Sequence, residues 1–295
     1  MTLRLHLLLL FTMCALSGYC QKTTDDYYQE GIRAERFSDD STAIKDFNFI
    51  LENHPSSVLC PFAYFHLGRV YRNRNGMEGA AIKAYTSAIA APEDKSALKL
   101  RDIWPTDYQY EAAYDLCNIY EHLGRYDSAL YFLGQYDTVF HTFYDDNFGY
   151  DAAKMAATLK YAEIYLLAKR SRDAECALLS HHKFRAQHYQ HGDEIVKKLD
   201  TLFREYEQAP LLKTEMDRTM DNFFFDTVRH FYGTREDTSI YCCISFLGVK
   251  VHYVYQGELF EESAFGEQEG VPKPWEREKI IASLKKSDLY TIVNR

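Results

Sequence analysis

One order of small, aromatic and turn residues returns along residues 27–181, and it dictates most of what this chain can become. Residues 27–55 carry Tyr27, Gly31, Ala34, Ala43, Phe47, Ile50 and Pro55. Ala43 to Phe47 is four residues and Phe47 to Ile50 is three, the steps of one helix face, while Gly31 and Ala43 stand far enough apart for a turn between two helices. The order recurs at Tyr64, Leu67, Gly68, Tyr71, Ala81, Tyr85, Ala88 and Pro92, with one extra residue in the turn 72–79. It returns at Ala113, Leu116, Cys117 and Tyr120, then through Gly124–Ala129 to Leu133 and Tyr136. A fainter copy reads Thr158, Tyr161, Ala162, Tyr165, Ala174, Leu178 and His181. A lone helical hairpin cannot bury its apolar face, so hairpins of this kind must share a core with their neighbours.

The run Leu116-Cys117-Asn118-Ile119-Tyr120-Glu121-His122-Leu123-Gly124-Arg125-Tyr126-Asp127-Ser128-Ala129 resembles the tetratricopeptide repeat (TPR), a helix–turn–helix unit of about 34 residues. With the other three copies the resemblance covers about residues 24–182. Cys117 stands where that family usually has Gly or Ala. The resemblance implies a protein or peptide partner, held by helix faces and inter-repeat grooves. On the first helices of the second and third copies the contact candidates are Tyr64, Arg69, Arg72, Asn118 and Glu121.

The spacing is not that of a regular array. Gly31 to Gly68 is 37 residues, Gly68 to Cys117 is 49 and Cys117 to Ala162 is 45, with the excess at Glu93–Gln109 and Thr138–Asp151. An interrupted superhelix is expected, with insertions gathered on one face. Tyr64, Tyr71, Tyr85, Tyr114, Tyr120, Tyr161 and Tyr165 mostly fall at helical spacing, which favours inter-helix packing with the hydroxyl reaching out over an aromatic-lined concave face.

Composition narrows the function classes. Of 295 residues, 46% are hydrophobic and 26% charged, ordinary for a chain that buries a core. A formal charge of −9 and a pI near 5.7, with no long basic run, argue against nucleic acid as a partner. Residues 1–20 have the form of a secretory signal peptide: Arg4, an apolar core from Leu7 to Leu16, then Ser17-Gly18-Tyr19-Cys20 before a wholly polar stretch. A periplasmic or secreted protein is expected. Cleavage after Cys20 and lipidation of Cys20 are the two processing routes. Tyr19, where lipoproteins want a small residue, favours cleavage, and membrane association is expected only through lipidation. Removing the leader leaves Cys60, Cys117, Cys176, Cys242 and Cys243, with no CxxC, which reads as isolated thiols.

The last third reads differently. Asp193–Glu207 and Leu211–Tyr232 have amphipathic helical patterns, so 183–232 is expected to be additional helices capping the repeats. Ser239–Leu247 and Val249–Tyr255 alternate about Gly248 as a β-hairpin, with a short third strand expected at Glu258–Glu261, a helix at Trp275–Lys286 and a final strand at Leu289–Val293. The fold class is thus mainly α: a TPR-like α-solenoid of helical hairpins over 24–182, then a small α+β domain over 233–295 with a β-hairpin or meander.

No complete catalytic set appears. Phosphate loops, GxSxG elbows and kinase signatures are missing, and Asp25-Asp26, Asp39-Asp40 and Asp145-Asp146 fit helix starts or loops. His188 and His191 have the spacing of a helical metal pair without a supporting motif, so no metal or other cofactor is expected. Cys242 or Cys243 with His252 is a formal nucleophile–base pair across the hairpin, with nothing to supply an oxyanion site. The function expected is a non-enzymatic, exported binding scaffold. The alternative is that the repeats present a small ligand-binding or enzymatic α+β domain.

Overall fold

The computed structural model describes residues 22–91, 108–139, 147–181, 183–185, 192–206, 209–232, 235–254 and 277–295. The leader 1–20, His188, His191, Asp145-Asp146 and the strand expected at Glu258–Glu261 lie outside them. The chain is mainly helical and divides into two compact units. One takes the described residues within Met1–Gly124 and Gly134–His141, the other those within Arg125–Leu133 and Thr142–Arg295.

The first unit holds α1 (Thr24–Arg36), α2 (Asp40–Asn53), α3 (Cys60–Arg72), α4 (Glu78–Ala90), α5 (Tyr108–His122) and a π-helical turn, Gln135–Val139. The helix starts are written in the sequence. Thr23 and Asp26 form a reciprocal capping box, with Asp26 Oδ2 accepting from the Thr23 amide at 2.8 Å. Asp39 caps α2 by accepting from the Thr42 amide. These hydrogen bonds hold the Asp26 and Asp39 carboxyls below their usual range, and both residues serve helix starts, as the sequence indicates.

Helices α1 and α2 pack as one hairpin and α3 and α4 as the next, with α2 against α3 and α5 against both α3 and α4. Each hairpin closes over a glycine. A Cβ on Gly31 would stand 2.7 Å from Phe47 Cε1, and one on Gly68 would stand 2.6 Å from Tyr85 Cδ1. Both aromatic rings are fully buried. Glycine is therefore required at 31 and 68 by contact, although each sits mid-helix, where it costs about 0.5–1 kcal/mol relative to Ala.

The second unit holds α6 (Tyr126–Gly134, to Leu133), α7 (Asn147–Leu167), α8 (Ser171–His181), β1 (Lys183–Arg185), α9 (Gly192–Tyr206), α10 (Ala209–Met220), β2 (Phe224–Tyr232), β3 (Arg235–Phe246), β4 (Val249–Val254), α11 (Arg277–Leu284) and α12 (Asp288–Val293). The strand order is β1-β4-β3-β2. β2, β3 and β4 form an antiparallel meander, and β1 adds in parallel beside β4. Leu247 and Gly248 make the β3–β4 turn, both at positive φ (54° and 79°), as a two-residue hairpin requires. Cys242, Ile244 and Phe246 of β3 with Val251 and Tyr253 of β4 form one buried face, in a core shared with α9, α10, α11 and α12.

One turn geometry is repeated. In α1–α2, α5–α6 and α7–α8 three residues join the helices, and the middle one has positive φ: Ser38 at 59°, Gly124 at 68° and Lys169 at 59°. In each, that residue's amide donates to the carbonyl three back: Glu35, Glu121 and Leu166, at 2.9–3.0 Å. An alanine then follows on the entering helix. The amides of Ala43, Ala81, Ala129 and Ala174 each donate to the residue four before them, and all four alanines are fully buried. Gly31, Gly68 and Ala129 accordingly lie buried in helices, as hairpin packing demands.

Three expectations are corrected. Leu211–Tyr232 is not one helix: α10 ends at Met220, a turn closes with the Asn222 amide on Thr219 O (3.0 Å), and Phe224 onward is β2. The apolar residues of 223–231 fit either period, and a nine-residue ladder with β3 decides for strand. Leu289–Val293 is not a strand but part of α12, whose N-cap Ser287 accepts from the Tyr290 amide and whose Leu289, Ile292 and Val293 are buried at helical spacing. The three-residue β1 falls within the region read as helical, where no strand was expected.

Candidate functional site

In the first unit the first helix of each hairpin, and α5 after them, carries polar residues that meet across helices. Tyr28 and Glu35 are seven apart on α1; His66, Arg69 and Arg72 are three apart on α3; Glu111 and Asp115 are four apart on α5. Each set is one helix face. His66 stands between two partners, with Nδ1 2.6 Å from Glu35 Oε2 and Nε2 3.3 Å from the Tyr28 hydroxyl. An imidazole donating from Nδ1 and accepting at Nε2 satisfies both. Arg69 Nε lies 3.1 Å from Glu35 Oε1. Arg72 pairs with Asp115 Oδ1, while the Tyr85 hydroxyl donates to Asp115 Oδ2 at 2.5 Å.

The result is two bonded networks, Tyr28–His66–Glu35–Arg69 and Arg72–Asp115–Tyr85, with the carboxylates sunk and the guanidinium groups outermost. Side-chain exposure is 14% for Glu35 and 12% for Asp115, against 44% for Arg69 and 37% for Arg72. Burial pushes the Tyr28 and Tyr85 phenols up, so both stay protonated donors. Burial also raises the Glu111 carboxyl, with Arg69 opposing it.

Of the residues singled out by sequence, Arg69 and Arg72 are in these networks, each already holding a carboxylate of a neighbouring helix. Tyr64, Asn118 and Glu121 are half-buried on α3 and α5, and Asn118 lies three residues beyond Asp115 on the same helix. Tyr28, Glu35, His66, Glu111 and Asp115 were missed. Their signal is the i, i+3, i+4, i+7 spacing of polar residues on first helices, which runs beside the more conspicuous apolar stripe.

The sheet of the second unit holds a separate cluster. Cys243 and His252 are register partners on β3 and β4, and Cys243 is opposite Phe224 on β2. Asp226, two residues along β2, therefore projects from the same face as Cys243 and His252, away from the core-facing set. One donor atom from each of Asp226, Cys243 and His252 lies within 4.8 Å of the others. Lys250, also on that face, donates to Asp226 Oδ2 at 2.8 Å, and His252 Nε2 is 3.4 Å from the same oxygen. The Lys250 hydrogen bond lowers the Asp226 carboxyl. Burial pushes the Cys243 thiol up to about 12. A raised thiol is the reverse of the lowered one that marks an activated cysteine nucleophile. Tyr253 faces the core and does not join the group.

No family model matches this chain, and no curated protein matches it. Among the described residues no helix is long and apolar enough to cross a membrane.

Proposed function

We propose that this protein is a non-enzymatic binding scaffold whose consecutive helical hairpins, read as tetratricopeptide-like repeats, hold an extended protein or peptide segment. The supporting observation is the recurring turn: a left-handed middle residue at Ser38, Gly124 and Lys169, followed in each case by a wholly buried alanine on the entering helix. A repeated close-packing unit, used with drift and insertions, is what a solenoid is made of. The binding face is read as the first-helix face of α1, α3 and α5, with Tyr64, Arg69 and Arg72 contributed by α3 and Asn118 and Glu121 by α5. Those two arginines are half spent on Glu35 and Asp115. They would offer remaining N–H donors to backbone carbonyls or to a carboxylate of the bound segment. The leader-like residues 1–20 support export. Intact mass from the native source separates cleavage after Cys20 from lipidation there.

A peptide array probed with the full chain, then with a Tyr64→Ala/Asn118→Ala double variant, tests the reading. The expected result is sequence-selective binding by the parent and about tenfold weaker binding by the variant, roughly 1.4 kcal/mol. A folded parent chain that selects no peptide contradicts it.

A further inference from the structure

The face of the β2–β3–β4 meander opposite Cys242, Ile244 and Phe246 brings together a fully buried thiol, Cys243, and two half-buried donors, Asp226 and His252. We propose that Asp226, Cys243 and His252 form a binding site for one borderline-soft divalent cation of the zinc type.

The donor set argues for that chemistry. It offers one carboxylate oxygen, one thiol sulfur and one imidazole nitrogen. Calcium and magnesium take oxygen ligands, so a set containing sulfur and nitrogen selects against them. Zinc accepts all three, at about 2.3 Å to sulfur, 2.0–2.1 Å to nitrogen and 2.0–2.2 Å to oxygen. Tetrahedral placement at those lengths sets the donors about 3.3–3.6 Å from one another. The observed separations lie within 4.8 Å, so the donors must close by at most about 1.2–1.5 Å to reach that range.

The backbone is also suited to hold such a set. The three residues come from three adjacent strands whose register is fixed by continuous ladders. Cys243 and His252 are a directly opposed pair, with Cβ atoms about 4.5–5.5 Å apart in such pairs. Asp226 sits on the diagonal. The strands are tied from behind by the buried face of Cys242, Ile244, Phe246, Val251 and Tyr253, so the ligands start from a fixed frame. Among the described residues these three ligands leave one position of a tetrahedral set to water or an external donor.

Lys250 competes for Asp226 and defines a supporting role. Its ammonium holds Oδ2, and the exposed, flexible stem lets it remain there while a cation takes the other carboxylate oxygen. A partner of that kind orients a ligating carboxylate. Binding displaces the thiol proton to solvent, leaving a thiolate–cation bond.

Cobalt(II) titrated into the reduced, chelator-treated full chain is the probe. The expected result is a near-ultraviolet thiolate-to-cobalt absorption band that saturates at one equivalent per chain and is displaced by zinc. The band is expected to vanish in Cys243→Ser. Cobalt affinity is expected to fall by about tenfold or more in His252→Gln and in Asp226→Asn. Both of those residues are partly exposed, so these variants keep the test alive if Cys243→Ser fails to fold. A folded parent chain with no such band overturns the proposal. So does a band whose strength and affinity are unchanged in the His252 and Asp226 variants, which would place the cation elsewhere.

Discussion

Replacing Gly68 by valine is expected to destabilise the first unit by about 3 kcal/mol, read as a lower midpoint in urea or heat. The Cβ alone would meet Tyr85 Cδ1 and Cε1 at 2.6 Å and Cγ at 2.8 Å. The obstructing atoms are at the root of the ring, so no rotation about its far end relieves them. Tyr85 cannot swing aside either, because it is fully buried and its hydroxyl is committed to Asp115 at 2.5 Å. Either α3 and α4 must separate or the Tyr85–Asp115 bond must break. Against this stands the helix-propensity gain from removing glycine, under about 1 kcal/mol and smaller for a β-branched residue. Overpacking costs about 1–3 kcal/mol for modest insertions and more for larger ones, so the steric effect wins. Parent-like stability in Gly68→Val would mean that the two helices are not held at contact distance.

Removal of Asp115 is the second large effect. Its two carboxylate oxygens serve Arg72 on α3 and Tyr85 on α4, which places one side chain of α5 across both helices of the preceding hairpin. Asp115→Ala leaves the buried Tyr85 hydroxyl without that acceptor, a cost of about 1–3 kcal/mol. The lost Arg72 pairing adds less, since that guanidinium is more than a third exposed and screened by water. About 2 kcal/mol is expected in total for Ala. Asp115→Asn keeps one acceptor for the phenol and is expected to cost about half as much. Combining Asp115→Ala with Tyr85→Phe removes donor and acceptor together. The pair is expected to cost less than the sum of the singles, measured as a coupling in a double-mutant cycle. Strict additivity would show that the short hydroxyl–carboxylate contact contributes nothing.

The same residues show where sequence reasoning succeeds and where it stops. Gly31, Gly68 and Ala129 were legible as contact positions because a small residue repeated at one place in a helical pattern marks where a neighbouring helix comes close. Arg72 was legible as a first-helix residue facing its neighbours. Its partner was not, because Asp115 is 43 residues away, and nothing local to α5 distinguishes that carboxylate from a solvated one. Glu35 and His66, 31 residues apart, escaped for the same reason.

The C-terminal errors share a cause. β1 has three residues and exists through its pairing with 252–254, almost seventy positions later. Phe224–Tyr232 carries an apolar pattern compatible with helix until β3 is laid beside it. With that stretch read as helix, Asp226 could not be placed next to Cys243 and His252, so the mixed donor cluster was out of reach. α12 was misassigned for want of length: its six residues are too few to separate the two periods, although Ser287-Asp288 is an N-cap signal.

Gly31 and Gly68 each let an aromatic ring from the next helix close on them, and the pair Gly31 and Phe47 gives this packing its sharpest test. The measurement is equilibrium unfolding of Gly31→Ala in the parent and in a Phe47→Leu background. In the parent, an alanine Cβ would lie 2.7 and 2.8 Å from Phe47 Cε1 and Cζ, and Gly31→Ala is expected to destabilise. Leucine lacks both of those ring atoms, so in the second background the helix-propensity gain of about 0.5–1 kcal/mol remains and the same change is expected to stabilise. A change of sign between the two backgrounds is the predicted result. The same effect in both would contradict the account.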